Sequence, residues 1–429
     1  MEFSFRHYLI EFPHLRDEHY KEMSPLEVYL ARQPIFNRMK QIFGYELLFR
    51  DGFSNAFPQI DGDTASSNVL SNSFFCMGMD LITGGTKAFI NFTQELLLQK
   101  TPLLFPKDHL IVEILENVLP TEAVILACRE MATAGYQLAL DDFIDDPALE
   151  PLIAMAGIIK IDIRLTPGDQ ARAILNRLSA YRVKFLAEKV ETYEEYETYL
   201  KMGFDYFQGY FFSKPQVLKA RDISPGKISL LQIMAEVNRD EMQISAVEKL
   251  ISRDVSVSFK LLRYINSPYY SRGQEISSIR QAVLRLGEAG IRRFIPIILM
   301  SAFADNKPHE LIRSSVIRAR FCELLCENTP TRLKSPELFT LGLFSMLDAI
   351  LDEQMDNLIK KLPFSKDICN ALLSGTGEIA EYLKLVRAYE IGDWIAVSLS
   401  ADIIGMDKDR IPTLYWDAVV WADTLTEPE

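Results

Sequence analysis

The first half of the chain alternates short apolar runs with amphipathic stretches, from about residue 30 to 215. The runs are rich in Ile, Leu, Phe and Val and are mostly unbroken, which is typical of parallel strands covered on both faces. Helical patterns lie between them, and a repeat of roughly 20–30 residues predicts a closed (β/α) barrel or a doubly wound sheet. The predicted strands are 42-IFGYELLF, 87-KAFINFT, 109-HLIVEIL, 137-QLALDDF, 158-IIKIDI, 184-KFLAEKV and 206-YFQGYFF.

The second half of the chain has a different pattern. The segment 213-SKPQVLKARDISPGK contains two prolines, several charges and little periodicity, which indicates a domain boundary. Beyond it, helical periodicity with few strand-like runs predicts an all-α domain of about five to eight helices. We therefore predict an N-terminal extension at 1–27, a barrel at 28–215, a linker at 216–227, a helical domain at 228–405 and a C-terminal tail at 406–429.

Composition narrows the class of protein. The length of 429 residues suggests two or three domains, and the hydrophobic fraction of 48% is that of an ordinary globular protein. The net charge of −13 argues against broad nucleic-acid binding, so we expect no direct DNA binding. A small nucleotide ligand stays compatible with this charge, because divalent metal ions can reverse the local field.

The cysteines and the apolar runs bear on location. Five cysteines without a CxxC pair are typical of reduced thiols in a cytosolic protein. The N-terminal segment MEFSFRHYLIEFPHLRDEHYKEM is charged throughout and has no apolar core of a signal peptide. No apolar run approaches the length of about 18 residues or more that a membrane span needs. We therefore expect a cytoplasmic protein that does not enter the membrane.

Polar side chains recur in or near the ends of the predicted strands, where unpaired charges are costly to bury. The carboxyl ends of parallel strands meet on one face of a barrel, which is where active sites form. We therefore expect one cleft to be lined by Glu46, Asn91, Glu113, Asp141, Asp142, Lys160, Glu188 and Gln208.

The chemistry of this set indicates a metal site. Several carboxylates and an amide oxygen are hard ligands, which favour Mg²⁺ or Mn²⁺. The adjacent Asp141 and Asp142 would let one carboxylate bridge two ions spaced about 3.5–4 Å apart, as in enzymes of in-line phosphoryl displacement. Lys160 would hold the attacking water or a phosphate oxygen, and Glu188 would bind a metal ion or take the proton of the water.

Each residue also has a structural explanation. Taken singly, Glu46 or Asn91 is more often a surface or capping residue, and Lys160 would serve as the ion-pair partner of Asp162 or another acidic neighbour. What favours a functional site is the recurrence of such residues at seven strands, because buried charges need partners or metal ions.

The same stretch resembles the EAL domain, the cyclic di-GMP phosphodiesterase of bacteria, over about residues 28–215. The signature Glu-Ala-Leu-x-Arg is similar to 46-ELLFR, with Leu47 in place of Ala. Further segments match the family in order: 90-INFT, 113-EILE, 141-DDF, 158-IIKID, 188-EKVE and 208-QGYFFSKP.

The resemblance implies a role for each matched residue. Lys160 and Glu188 resemble the catalytic pair, and Glu116 resembles the residue that positions the active-site loop. The substrate-binding residues would be Leu48, Arg50 and Gln208, with Arg50 paired to a phosphate. The implied reaction is hydrolysis of cyclic di-GMP to linear pGpG with two Mg²⁺ or Mn²⁺ ions. The implied metal ligands are Glu46, Asn91, Glu113, Asp141, Asp142 and Glu188.

One loop departs from the family pattern. The family follows Asp-Asp-Phe with a Gly-Thr-Gly-x-Ser-Ser loop, whereas this chain continues 144-IDDPALEPL. In the family that loop couples metal binding to dimerisation, and a homodimer is one expectation for this chain. The departure motivates a second hypothesis, a receptor or scaffold that binds cyclic di-GMP with little or no turnover and acts through a protein partner.

The helical half resembles the HDOD domain, a relative of the metal-dependent HD phosphohydrolases. The segments 256-SVSFKLLRYINSPYYS and 276-ISSIRQAVLRLGEAGIRRFI carry this resemblance, which covers about residues 220–405. The half contains one histidine, His309, and it has 342-GLFSMLD where the His-Asp pair of the HD enzymes would fall. HD chemistry needs several histidine ligands. We therefore expect a non-catalytic output or regulatory domain that binds a protein partner.

Overall fold

The computed structural model describes residues 29–50, 82–213 and 225–426, apart from 240, 267–275, 304–306, 361 and 363. The predicted N-terminal extension at 1–27 and most of the predicted linker at 216–227 therefore lie outside the described residues.

Within these residues, eight strands close into a barrel in chain order. Six neighbouring pairs, from β2–β3 to β7–β8, are parallel, whereas β1 is antiparallel to both β2 and β8. The strands are β1 (Tyr29–Asn37), β2 (Ile42–Arg50), β3 (Lys87–Phe92), β4 (Leu110–Ile114), β5 (Gln137–Leu140), β6 (Ile158–Asp162), β7 (Lys184–Glu188) and β8 (Tyr206–Gln208).

The predicted (β/α) barrel is thus confirmed, and β1 is the strand that the sequence pattern misses. Its sequence YLARQPIFN places Arg32, Gln33 and Pro34 in the middle of the strand and so lacks an unbroken apolar run. Pro34 is tolerated because the pairing of β1 with β8 begins only at Ile35, so at Pro34 the strand has a paired neighbour on one side only, as at a sheet edge.

One layer of apolar side chains fills the barrel below the carboxyl ends of its strands. The layer is fully buried and fills the barrel interior with side chains, as in other barrels of this kind. Phe43 and Tyr206 cover this layer with rings stacked 4.1 Å apart. Its members are Ile35, Phe89, Ile111, Ala139, Ile158 and Leu186.

Helices connect the parallel strands and carry recognisable end signals. The Thr192 side chain accepts from the Glu195 amide in a capping box, and the helix that begins there ends at Gly203 with φ of 117°. Gly135 ends another helix in the left-handed conformation, with φ of 96°. The barrel helices are α1 (Gln94–Leu98), α2 (Glu122–Ala134), α3 (Glu150–Ile153), α4 (Gly168–Arg177) and α5 (Tyr193–Met202).

The rest of the described chain is an all-α unit, as predicted. The twelve helices described here outnumber the expected five to eight, and two of them are only five residues long, too short to show a helical period in the sequence. They are α6 (Pro225–Val237), α7 (Ile244–Ile251), α8 (Val255–Ile265), α9 (Ile279–Phe303), α10 (His309–Glu327), α11 (Ser335–Phe344), α12 (Leu347–Leu351), α13 (Met355–Ile359), α14 (Lys366–Ser374), α15 (Glu378–Glu390), α16 (Trp394–Ile404) and α17 (Ile411–Thr426).

The predicted C-terminal tail is wrong as a structural description. Helix α17 buries Ile411, Ala418 and Ala422 in the common core and packs along α10, so it belongs to the helical unit. Helix α6 begins at Pro225, inside the predicted linker. No helix in the described ranges has the length and apolar character needed to cross a membrane.

Candidate active site

The predicted polar residues meet at the carboxyl ends of the parallel strands. Asn91 and Glu113 are register partners on β3 and β4, and Asp141 directly follows β5. Side chains alternate between the two faces of a strand, so each of these residues faces the barrel axis while its neighbours face the helices. The residues that the structure gathers at this mouth are Glu46, Asn91, Glu113, Asp141, Lys160, Glu188 and Gln208.

The ammonium of Lys160 lies at the centre of the cluster. Its Nζ is 2.6 Å from Asp141 Oδ1 and 2.7 Å from Glu113 Oε1. It is 3.1 Å from Glu188 Oε1 and 3.4 Å from Glu46 Oε2. Lys160 and Glu113 are fully buried, so these interactions are shielded from solvent.

Two amide side chains hold Glu46 from the other side. Asn91 Nδ2 donates to Glu46 Oε1 at 3.1 Å, and Gln208 Nε2 donates to Glu46 Oε2 at 2.7 Å. The same Gln208 nitrogen lies 3.0 Å from the Oε1 of Gln33, a β1 residue that the sequence reasoning did not select. Gln33 could be predicted as a site residue only if β1 were predicted as a strand, and the sequence of β1 lacks the apolar run that would indicate one.

The cluster brings four carboxyl groups around one ammonium group. Burial raises the pKa of Glu113 well above its ordinary value, although Lys160 opposes the shift. Burial likewise raises the pKa of Glu188 to about 8, against the opposing effect of Lys160. Burial alone would lower the pKa of Lys160, but the Asp141 carboxylate and its neighbours raise it well above its ordinary value. Burial thus favours the protonated forms of Glu113 and Glu188, and a bound cation would favour their ionised forms.

Several buried oxygen atoms in the cluster lack a hydrogen-bond donor. They are Asn91 Oδ1, Glu113 Oε2, Glu188 Oε2 and Gln208 Oε1. Buried acceptors are normally satisfied, and unsatisfied ones mark a place for an ion or water. Among the described residues, no three of the His, Cys, Asp and Glu side chains close on a common point as metal ligands do, because here the carboxylates close on Lys160. The donor set and the unsatisfied oxygens nevertheless fit hard divalent cations.

The structure places Asp142 beside the cluster rather than in it. Its backbone has a φ of 38°, in the left-handed region, and the side chain is half-buried. Burial and the nearby Asp141 raise the pKa of Asp142. It lines a small hollow with Glu116, which is otherwise exposed, and Phe143. Asp142 and Glu116 therefore stand at the rim of the site.

Asp162 has a partner other than the one considered from the sequence. Its carboxylate pairs with Lys189, whose backbone is also left-handed with a φ of 57°, and not with Lys160. Lys189 directly follows the site residue Glu188, so this pair fixes the turn after β7.

The predicted substrate-binding residues of β2 differ in what can be described. Leu48 is buried, and a Cβ placed on Gly392 of the helical unit would lie 3.1 Å from Leu48 Cδ1. The Arg50 side chain lies outside the described atoms, although its backbone ends β2. Leu48 therefore packs beneath the corner between α15 and α16.

The loop that departs from the family pattern is held at the surface by polar contacts. Asp146 Oδ1 accepts from the Ala148 amide at 2.8 Å and opens a short 3₁₀ turn. Arg177 of α4 donates through Nε to Asp145 Oδ2 at 2.9 Å and pairs with Glu150 at 3.3 Å. Exposed pairs such as these contribute little stability but fix the path of the loop.

Ser345 and Met346 lie where the His-Asp pair of the HD enzymes would fall, and both take part in the packing of the helical unit. Ser345 Oγ donates to the Gly342 carbonyl at 2.7 Å and lies 3.1 Å from Arg318 Nη1, and Met346 is buried. Arg318 itself is paired with Glu390. No metal-binding arrangement of His, Cys, Asp or Glu is found in the part of this unit that the structure describes.

Fold and site together define a class of protein, a barrel with a buried acidic mouth joined to an all-α unit. The model of the EAL domain matches residues 83–215, and that of the HDOD domain matches residues 227–355. The chain is 37% identical to the cyclic di-GMP phosphodiesterase CdgJ of Vibrio cholerae over 92% of this chain and 93% of CdgJ. It is 35% identical to the protein YuxH of Bacillus subtilis over 94% of this chain and all of YuxH. The chain therefore belongs to the family of proteins that join an EAL domain to an HDOD domain.

Among solved structures, an EAL domain protein of Listeria monocytogenes is 25% identical to this chain. The match covers 43% of this chain and 87% of that protein, with a TM-score of 0.33.

Proposed function

We propose that the protein hydrolyses cyclic di-GMP to linear pGpG at the barrel mouth with two Mg²⁺ or Mn²⁺ ions. The observation that carries this proposal is the buried cluster in which four carboxylates, two amides and one lysine converge from separate strands. The similarity to CdgJ over nearly the whole chain supports the choice of substrate.

The metal ions would be held by the residues of the cluster whose buried oxygens lack a hydrogen-bond donor, together with neighbouring carboxylates. Glu113, Glu188 and Asn91 supply such oxygens, and Glu46 and Asp141 would complete the set, with Asp142 joining from the rim. When bound, two such ions lower the pKa of a water molecule and stabilise both oxygens of an in-line phosphoryl displacement.

The side chains of the chain itself have defined tasks in this proposal. Lys160 is charged and buried, and it orients the attacking water through its ammonium protons. Glu188 accepts the proton of that water as the oxygen attacks phosphorus. One phosphorus–oxygen ester bond breaks, and the leaving 3′ oxygen takes up a proton, which gives the linear dinucleotide.

The helical unit is proposed to lack chemistry of its own. Its Ser345 and Met346 are committed to packing. We propose that this unit regulates the barrel and binds a protein partner. A homodimer also stays a proposal.

The test is turnover by the full chain with cyclic di-GMP and Mg²⁺ or Mn²⁺, with pGpG separated by chromatography. We expect turnover on the order of 1 s⁻¹, and a fall of at least about 100-fold in Glu46→Ala. The matched control is Glu197→Ala, which removes a glutamate exposed on α5 and should leave turnover unchanged.

The same experiment separates the second candidate function, a receptor. The surface-held loop around Asp145 and Asp146 favours that candidate, because it replaces the loop that the family uses to couple metal binding to dimerisation. Binding of cyclic di-GMP by calorimetry without any pGpG would establish the receptor and reject the phosphodiesterase.

A further inference from the structure

The strands β1 and β2 form a ribbon that continues past the barrel wall at the site. The last register pair between β2 and β3 is Leu47 with Ile90, whereas β1 and β2 stay paired as far as Tyr29 and Arg50. On the other side, β1 pairs with β8 only from Ile35 onward. Within the ranges that the structure describes, the part of the ribbon at the mouth therefore has no barrel strand beside it, and its contacts come from other elements.

The helical unit contacts the ribbon through buried polar groups. On β2 the contact is made at Tyr45, which is still paired with Ala88 of β3 and lies close to the end of that pairing. The Tyr45 hydroxyl of β2 donates to Glu310 Oε2 of α10 at 2.7 Å, and both side chains are nine-tenths or more buried. Arg313 Nη1 donates to the same hydroxyl at 3.3 Å. The guanidinium of Arg32 on β1 lies 4.7 Å from the centre of the Tyr45 ring.

Glu310 and Arg313, which contact the Tyr45 hydroxyl, make further polar contacts within the helical unit. Arg313 makes a two-pronged pair with Asp423 of α17, with donor–acceptor distances of 2.5 and 2.6 Å. Ser314 Oγ lies 3.4 Å from the second oxygen of Glu310. The hydroxyl of Tyr45 thus ends a chain of contacts that reaches from α17 through α10 to β2.

Tyr45 and the site residue Glu46 are neighbours that face opposite sides of β2. Tyr45 points to the helical unit, and Glu46 points to Lys160, Asn91 and Gln208. The register partner of Glu46 on β1 is Gln33, which accepts from Gln208 in the site. On both strands of the ribbon, therefore, one residue enters the site while the adjacent residue faces the helical unit.

We propose that Tyr45 and Glu310 are positioning residues through which docking of the helical unit sets the place of Glu46. The inference rests on the proposed function, because it concerns the ligand set of the same site. Its physical basis is that a small displacement of a ligating or reacting group costs far more in activity than in stability. Contacts from the helical unit would then determine the position of a metal-binding residue in the barrel.

The decisive variant is Tyr45→Phe in the full chain, which removes the hydroxyl and keeps the ring. We expect its half-saturating Mn²⁺ concentration to rise about 10-fold, as for other residues that position metal ligands. The turnover number should fall at saturating cyclic di-GMP, with little change in KM. Mn²⁺ binding measured by electron paramagnetic resonance without substrate should weaken to the same extent.

The matched control is Tyr389→Phe at the same interface. The Tyr389 hydroxyl donates to the Leu30 carbonyl of β1 at 3.2 Å, near the end of the ribbon and away from Glu46. This variant should lose a similar interface hydrogen bond without any change in Mn²⁺ binding. Glu310→Gln keeps an acceptor for the Tyr45 hydroxyl and should bind Mn²⁺ as the wild type does, whereas Glu310→Ala should resemble Tyr45→Phe.

Equal Mn²⁺ binding by Tyr45→Phe, Tyr389→Phe and the wild type would show that these contacts serve only stability and would overturn the inference. If the wild type binds Mn²⁺ without turnover, the proposed function fails, and weaker binding by Tyr45→Phe still supports the inference. A wild type that binds no Mn²⁺ would overturn both.

Discussion

Lys160 is the residue on which the site depends most, because among the described residues it is the one ammonium in contact with all four carboxyl groups of the cluster. A buried charge that loses its partner is strongly destabilising, while a complete buried pair is often close to neutral. Lys160 thus allows the acidic cluster to exist before any metal ion is bound. In the proposed reaction the same ammonium orients the attacking water.

Replacing Lys160 with Met should therefore destabilise the metal-free protein. We expect a loss of about 3 kcal/mol or more in the free energy of unfolding, measured with urea in the presence of EDTA. Added Mn²⁺ should restore part of the loss, because a bound cation replaces the missing charge. Lys184→Met is the control: this lysine pairs with Asp205 at the surface, and its loss should cost less than about 1 kcal/mol. Equal losses in the two variants would contradict the electrostatic account.

The sequence predicted the residues of this cluster better than it predicted their partners. The alternation of strand side chains and the common face of a barrel are general rules, so Glu113, Lys160 and Glu188 could be placed at one mouth. The pairing of Asp162 with Lys189 depends on the turn after β7, and the place of Asp142 depends on a left-handed backbone. Neither feature leaves a pattern in the sequence.

At the scale of elements, the end of β8 is shaped by Gly209. Its φ is 139°, and a Cβ placed there would lie 2.2 Å from the Val190 carbonyl oxygen. That carbonyl accepts from the Phe211 amide at 3.0 Å, and the Val190 amide donates to the backbone carbonyl of Gln208 at 2.9 Å. The close approach of the two backbones after β7 and β8 therefore holds Gln208 in the site.

Gly209→Ala should push the two backbones apart. We expect a loss of about 3 kcal/mol in the free energy of unfolding, from the strained conformation and the clash together. Gly84→Ala is the matched control, since Gly84 also has a positive φ, 59°, but its Cβ would meet no atom within 4 Å. The control should cost only about 1 kcal/mol. Chemical denaturation of both variants measures the difference, and comparable losses would disprove the steric explanation.

Elements with strong periodicity were predictable, and those shaped by tertiary contacts were not. The apolar spacing of helix α2 and the glycine at its C-terminal end, Gly135, are both recognisable in the sequence. Strand β1 did not, because its Arg32 and Gln33 are polar residues that find partners only in the folded protein. Helix α17 lies in the predicted tail, and Ala418 and Ala422 show their role only through burial in the core of the folded protein.

At the scale of the whole molecule, the two units share a buried polar interface that the sequence did not reveal. Arg32, Tyr45 and Glu310 come from both units and are each nine-tenths or more buried. The Tyr45 hydroxyl donates to Glu310 and the Arg32 guanidinium lies over the Tyr45 ring, so a different docking geometry would leave these buried polar groups without those partners. Domain boundaries can be inferred from composition, but contacts across them depend on the final fold.

Glu310 makes the stability of this interface depend on pH. Burial raises the pKa of Glu310 to about 7, although Arg32 and the Tyr45 hydroxyl oppose the shift. Asp423 raises it further, and the Ser314 hydroxyl lowers it. In the unfolded chain a glutamate ionises near about 4.3. Between these values the folded protein binds more protons than the unfolded chain, so its stability falls as pH rises towards 7.

The substitution Glu310→Gln should remove this pH dependence. Glutamine cannot ionise. Between about pH 5 and 7 the free energy of unfolding of the variant should therefore fall less steeply than that of the wild type. Glu381→Gln, which removes a glutamate paired with Lys384 on α15, serves as the control and should keep the wild-type slope. Urea unfolding at several pH values measures the difference between the curves. If the free energy of unfolding of Glu310→Gln and of the wild type changed with pH in the same way, Glu310 would be ionised in the folded protein throughout this range. The helical unit would then dock through an ionised carboxylate and not through a protonated carboxyl group.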